Sequence, residues 1–181
     1  CRILGVKYWF DQRYDWSVYR FNIMSALKFK GVIVDVYHDH NGLHTIEQVK
    51  HPGGVCVAAL TPSNTLLFVK QYRFGIEKDL LEFPAGLIEP DEAPHITALR
   101  ELEEETGYKA NHIQSLGTFY LSPGYSNEII HLFYAEDLIK TQQNLDPFES
   151  LEVIELPFEE AINTSFKDIK TELLIQKIKS L

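Results

Sequence analysis

The stretch GLIEPDEAPHITALRELEEETGY, Gly86 to Tyr108, carries seven carboxylates and a single arginine in 23 residues. Its pattern predicts a helix over 92–106. The start is polar, Pro94 stands in the first turn where a missing N–H costs nothing, and Gly107 supplies the stop. Ile96, Leu99 and Leu102 recur at helical spacing and are expected to bury one face against a sheet. On the same helix Glu101, Glu104 and Glu105 stand at i, i+3 and i+4, so all three project from one flank. Like charges so placed cost a helix about 0.2–0.5 kcal/mol per pair. They also crowd the C-terminal end, where the macrodipole disfavours anions.

A solvated acidic face is the ordinary explanation of glutamates at a helix end. A divalent cation is the alternative, because it reverses both unfavourable signs; Mg2+ takes hard oxygens, a few carboxylates completed by water and phosphate. Arg100, four residues before Glu104, is placed to hold that carboxylate in one rotamer. Glu103 falls off the cluster and reads as solvated.

The flanks predict a sheet for this helix to lie on. GGVCVAAL and TLLFVKQYRF, separated by the turn TPSN, read as buried strands, and KDLLEFPAG as a short strand running into a glycine turn. Gly86, directly after that strand, lets the chain turn and allows close approach to its backbone. IQSLGTFYL and EIIHLFYAEDL follow on either side of the loop SPGYSN, then the strand SLEVIELPF. Helices are expected at 158–164 and 167–180, the second with Ile169, Leu173, Leu174 and Ile178 as its apolar face. Upstream, KGVIVDVYHDHNGLHTIEQVKH reads as a hairpin, with Val32 and Val34 in its first strand and Asn41-Gly42 as a type I′ turn. His38, His40 and His44 flank that turn and read as exposed turn histidines rather than a metal site. Strands interleaved with one central helix and terminal helices give an α/β/α sandwich with a mixed central sheet, preceded by a small antiparallel strand module. The division expected is 1–51 for an N-terminal segment and 52–181 for the main domain. Both tryptophans, Trp9 and Trp16, crowd into the first 21 residues with Tyr8, Phe10, Tyr14, Tyr19 and Phe21. They suit an extra layer on the core or an arm docking on a second subunit.

The net charge of −9 argues against a nucleic-acid partner, which calls for a basic face. It would also repel a phosphorylated ligand unless a cation intervenes. No apolar run is long enough to span a membrane. The opening residues CRILGVKYWFDQRYDW show no apolar signal core, and the expectation is a cytoplasmic protein without a membrane partner. Cys1 and Cys56 cannot make a disulfide framework, and Cys56 in GVCVAAL reads as a small core residue.

Written with x for any residue, the acidic stretch is G-x5-E-x7-R-E-L-x-E-E-x-G-Y. This resembles the signature of the Nudix hydrolases over all its positions, departing only at Tyr108, where an aliphatic residue is more usual. The resemblance implies hydrolysis of nucleoside diphosphates linked to another moiety, with Mg2+ (or Mn2+) held by Glu101, Glu104, Glu105 and the backbone carbonyl of Ala85. It implies structural roles for Glu92 and for Arg100, which would orient the glutamates, and it accounts for the acidic charge, since metal ions bridge carboxylates to pyrophosphate.

Over about residues 50–155 the chain looks like the ADP-ribose pyrophosphatase and nucleotide-sugar hydrolase branch. Its substrates are small nucleoside diphosphate sugars such as ADP-ribose, with GDP-mannose or a UDP-sugar as the alternative. A non-catalytic sensor of such a compound is a further reading, disfavoured by the intact signature. The loop Ser122-Pro123-Gly124, with its proline 16 residues beyond Gly107, is similar to the loop that favours ADP-ribose there. A plain turn is its simpler reading. Matching positions make Arg73, Glu82, Leu87 and Glu128 substrate contacts by resemblance. On their own, Arg73 also suits a sheet-end surface cation and Glu128 an edge-strand acid. The general base of this branch comes from an acidic loop, here NLDPFESLEV; Glu149 aligns best, with Asp146 and a helix glutamate as alternatives. Relatives are commonly homodimers that exchange an N-terminal strand module, for which the hairpin at 31–51 is suited.

Overall fold

The structure, a computed structural model, describes residues 24–40, 45–147 and 150–181. The chain divides into two compact units, Cys1–Val49 and Lys50–Leu181. In the first, β1 (Met24–Lys30), β2 (Asp35–His40) and β3 (Thr45–Lys50) form an antiparallel-type sheet in that order, β1 pairing antiparallel with β2. Here the expected first hairpin strand is corrected. Val32 and Val34 lie in the β1–β2 turn, which Gly31 closes by donating its N–H to the Val34 carbonyl at 3.0 Å, and Val32 is fully exposed. A Cβ on Gly31 would overlap that carbonyl, so the glycine decides the turn over the β-branched residues beside it. β1 itself, MSALKFK, lies outside every strand that the sequence pattern predicts. The aromatic segment 1–21, the Asn41-Gly42 turn and His44 lie outside the described residues.

The second unit is built on a mixed sheet. Its strands are β4 (Gly54–Leu60), β5 (Thr65–Arg73), β6 (Lys78–Glu82), β7 (Ala85–Leu87), β8 (Tyr108–Tyr120), β9 (Ile129–Lys140) and β10 (Leu151–Pro157). The main order is β10-β5-β4-β9-β8, with β4 and β9 parallel. The sheet forks at β4. Only Ala59 and Leu60 pair with β5, while Gly54, Val55 and Cys56 pair on the same side with β7. β5 is then free to pair with β6.

Alternation along β4 fills both faces. Cys56 and Ala58 join Leu66, Phe68 and Phe83 beneath the C-terminal helices α2 (Phe158–Asn163) and α3 (Ile169–Ile178), where Phe68 stacks on Phe83 at 4.4 Å and on Phe166 at 5.0 Å. Val55, Val57 and Ala59 join Leu67 beneath Ala98 and Leu102 of helix α1 (Pro94–Thr106). Helices thus cover both faces, as expected. Their buried stripes are shifted from the sequence reading. In α1, Leu102 is buried as expected and Leu99 packs beside it, but Ile96 is 48% exposed, and Thr97, Ala98 and Glu105 are buried in its stead. In α3, Ile169 is 62% exposed and Thr171 takes the inner position.

Candidate active site

Helix α1 starts without a side-chain cap: Ala93 is its N-cap and Pro94 its first residue. Glu92 works one residue earlier, accepting from Thr97 Oγ1 at 2.7 Å and from the Glu89 N–H at 3.4 Å. The helix stops at Gly107, whose φ of 70° is left-handed and whose N–H donates to the Glu103 carbonyl. The segment after β9 covers three further carbonyls at this end. Thr141 N donates to Gly107 O at 2.7 Å, Asn144 N to Glu104 O at 2.9 Å, and Gln143 Nε2 to Glu105 O at 2.7 Å. The root of the acidic loop is thereby fastened to the end of the glutamate helix. Asp146 is exposed; Glu149 lies outside the described residues.

Arg100 is the hub. Its Nε and Nη2 grip both oxygens of Glu92 at 3.0 Å each, its Nη1 donates to Glu101 Oε1 at 2.8 Å and Glu104 Oε2 at 2.9 Å, and its Nη2 reaches the Leu87 carbonyl at 3.2 Å. Hydrogen bonds from the guanidinium, with help from Thr97, hold the Glu92 carboxyl down at about 2, and Glu92 in return raises Arg100. Glu103, expected to be solvated, lies 3.6 Å from Lys109 Nζ.

The parity of β7 aims its backbone at this helix. Pro84 and Ile88 bond to β4 (Val57 N to Pro84 O, Ile88 N to Gly53 O), so Gly86, between them, faces β4 too. Ala85 and Leu87 therefore point the other way. Ala85 N donates to Glu105 Oε2 at 3.0 Å, and the Leu87 carbonyl meets Arg100. An extended residue turns its N–H and C=O to the same side, which sets the Ala85 carbonyl on the Glu105 side. Gly86 leaves the space in which the Glu101 carboxylate lies: a Cβ there would overlap Cδ and both oxygens of Glu101.

Below the fork, Arg73 grips Glu82 with a two-pronged pair, Nε to Oε1 at 2.7 Å and Nη2 to Oε2 at 2.9 Å. Glu82 is 1% exposed and also accepts from Lys170 Nζ at 3.0 Å. In the β8–β9 loop the Ser122 carbonyl accepts from Tyr125 N and Ser126 N, Pro123 and Gly124 are exposed, and Glu128 stands 3.9 Å from His51 Nε2. His51 Nδ1 accepts from Gly53 N, and Asn127 Oδ1 takes the His51 N–H at 2.8 Å. Nothing in the sequence signalled His51 or Lys170; both bond to groups remote along the chain.

The NUDIX domain family model matches residues 50–175. The chain belongs to the Nudix family. Among curated proteins it is 41% identical to an ADP-ribose pyrophosphatase of Bacillus subtilis (strain 168), over 82% of this chain and 86% of that one. It is 44% identical to a methanol dehydrogenase activator of Bacillus methanolicus (72% and 74%) and 36% identical to a GDP-mannose pyrophosphatase of Yersinia enterocolitica (76% and 81%). Among solved structures, an ADP compounds hydrolase superposes with a TM-score of 0.75 at 22% identity, covering 88% of this chain and 92% of that one, a likeness of fold.

The Nudix helix presents only hard oxygens, the donor chemistry that Mg2+ and Mn2+ take. Glu101 and Glu104 meet at one Arg100 nitrogen, with Glu105 and the Ala85 backbone alongside. Among the described residues no three such side chains are drawn together closely enough to hold a metal ion by themselves, and Arg100 supplies the countercharge. In its chemistry, carboxylate and carbonyl oxygens alone, the donor set fits a hard divalent ion.

Proposed function

We propose that this Nudix chain hydrolyses the pyrophosphate bond of ADP-ribose or a related nucleoside diphosphate sugar, giving a nucleoside monophosphate and a sugar phosphate. The observation that carries the reading is the Glu101 carboxylate, lodged in the space that Gly86 leaves empty and fixed there by Arg100. Such a fit matters to a site that must place an oxygen, and little to an acidic surface. The named activities of the Bacillus subtilis and Yersinia relatives support the substrate class.

Glu101, Glu104, Glu105 and the Ala85 carbonyl would hold Mg2+, or Mn2+. When bound, the ion neutralises pyrophosphate charge and lowers the pKa of a bound water. Arg100 holds Glu101 and Glu104 in place while Glu92 holds Arg100. Arg73 offers its outer donors to a phosphate oxygen, with Glu82 acting through it. Leu87, Ser122, Pro123, Gly124 and Glu128 line the substrate side. Glu149, with Asp146 as the alternative, takes the proton of the attacking water. The acting species is a cytoplasmic homodimer joined through the N-terminal strands, with residues 1–51 as the joining module and 52–181 as the catalytic domain. GDP-mannose as the substrate is the second reading, favoured by the Yersinia relative.

The test is a panel of ADP-ribose, GDP-mannose and UDP-sugars with Mg2+, with and without chelator, on wild type and Glu105→Gln. A glutamine oxygen still accepts the Ala85 N–H, so the fold is retained while turnover falls by at least about 10²-fold. Undiminished cleavage by the chelated enzyme, or by the variant, defeats the metal assignment.

A further inference from the structure

A second polar cluster lies across the sheet fork from the acidic helix, and the proposed chemistry leaves most of it unused. Asp168 caps α3, its Oδ2 accepting from Thr171 N at 3.0 Å and Thr171 Oγ1 at 2.8 Å. Its other oxygen takes Lys170 Nζ at 2.6 Å, and the same ammonium reaches Glu82 Oε2 at 3.0 Å. Thr171 Oγ1 accepts the Phe83 N–H at 2.9 Å, which ties α3 to the residue between Glu82 and the strand carrying Ala85.

Two cations and two anions therefore alternate in a row: Arg73, Glu82, Lys170, Asp168. Three of them are nearly enclosed, with side-chain exposures of 1% for Glu82, 16% for Lys170 and 10% for Asp168. Arg73 alone reaches out, 39% exposed. Burial opposes the Lys170 charge, but the carboxylates of Asp168 and Glu82 outweigh it and raise its pKa. Because Nε and Nη2 of Arg73 are spent on Glu82, the plane of the guanidinium is fixed. Nη1 makes no hydrogen bond among the described residues, on a side chain that is 39% exposed.

We infer that Lys170 is a positioning residue: it anchors Glu82 from α3, and Glu82 aims the outward edge of Arg73 at an anionic phosphate oxygen. This rests on the pyrophosphatase reading for its substrate and on the fork geometry for everything else. A buried carboxylate held by a single partner can rotate about its last torsion. One gripped from two sides cannot, and the guanidinium inherits that rigidity.

The experiment follows the Arg73 Nε–H signal by heteronuclear NMR and titrates inorganic pyrophosphate into wild type, Lys170→Arg, Lys170→Gln and Lys170→Met, with Arg73→Lys assigning the signal. Wild type should give one sharp signal that moves with pyrophosphate. In Lys170→Met it should broaden and pyrophosphate affinity fall by about tenfold, with Lys170→Arg restoring both. Should Lys170→Met fold too poorly to measure, Lys170→Gln, which keeps one donor without charge, carries the same expectation at a smaller shift. In hydrolysis the change should fall on KM rather than kcat, and it should vanish in an Arg73→Lys background. A folded Lys170 variant with an unaltered Arg73 signal and affinity, or with losses that add to those of Arg73→Lys, overturns the inference. A wild type that cleaves no nucleoside diphosphate sugar would refute the proposed function, while the signal and titration still decide the role of Lys170.

Discussion

Gly86→Ala separates a carboxylate-placing site from an acidic surface, because the atoms nearest the added methyl belong to a side chain. Among the contacts a Cβ would make, the nearest are Cδ and both oxygens of Glu101, the far end of a flexible side chain. The carboxylate yields and the backbone stays. The stability cost is then the Arg100–Glu101 bond, worth about 1 kcal/mol for a partly exposed charged pair. The lower entropy of the unfolded alanine chain offsets about 0.4–1 kcal/mol of that. The melting temperature should accordingly move by no more than about 4 °C. Activity has no such offset. Ordinary contact forces the carboxylate aside by about 1–2 Å, and a misplacement of about 1 Å costs on the order of 10²-fold in rate. The assay is release of nucleoside monophosphate from ADP-ribose against Mg2+ concentration, beside thermal melts. Turnover should fall by about 10²-fold, with apparent metal affinity lower by about 10- to 100-fold. Gly75→Ala, where an added Cβ meets nothing within 4 Å, is the matched control. A Gly86→Ala enzyme that melts normally and turns over within about twofold of wild type would remove the reasoning at its root.

Arg100→Lys keeps one charge but cannot span Glu92, Glu101, Glu104 and the Leu87 carbonyl together; kcat at fixed Mg2+ should fall by about 10- to 100-fold, and equal rates would refute the hub. Glu92 is depressed from 4.5 to about 2 by Arg100 first, so its stabilising effect is complete above 4.5 and disappears as pH drops toward 2. Glu92→Gln should therefore unfold earlier in denaturant at neutral pH and converge on wild type below about pH 2, in urea melts run across that range. Gly107→Ala forces a left-handed alanine and brings its Cβ to 2.9 Å from Gln143 N, which should cost about 1–2 kcal/mol and lower the melting temperature by several degrees.

The spacing of Arg100 and the three glutamates was legible because a helix converts fixed separations into fixed directions. Gly107 read correctly as the stop for the same local reason. Apolar periodicity misled at Ile96, where α1 instead sets Ala98 and Thr97 on the sheet. Small residues let the helix approach closely, and propensity carries no information about interlayer distance. Ile169 failed alike, its place inside taken by Thr171, a polar residue buried because Asp168 and Phe83 satisfy it. The Lys170–Glu82 contact joins residues 88 apart in sequence. No single-chain pattern marks such a pair, since each partner alone reads as a surface charge.

The fork in the sheet explains why the acidic helix is needed where it stands. Where β5 leaves β4, β7 takes over on one side only, so Ala85 and Leu87 face away from the ladder with polar backbone to satisfy. A further strand there would have used the same groups and closed the site. Side chains of α1 fill the role instead, Glu105 accepting from Ala85 and Arg100 donating to Leu87. Glu105, which would hold an ion, is thus also an edge partner of a strand, and it is only 2% exposed before any ligand arrives. It follows that charge and geometry separate at this position. Glutamine keeps the edge bond and loses the anion, whereas alanine loses both and leaves a half-buried N–H unpaired, at about 1 kcal/mol. If Glu105→Gln and Glu105→Ala were equally stable, the edge bond would count for nothing and the strand would owe its place to β4 alone.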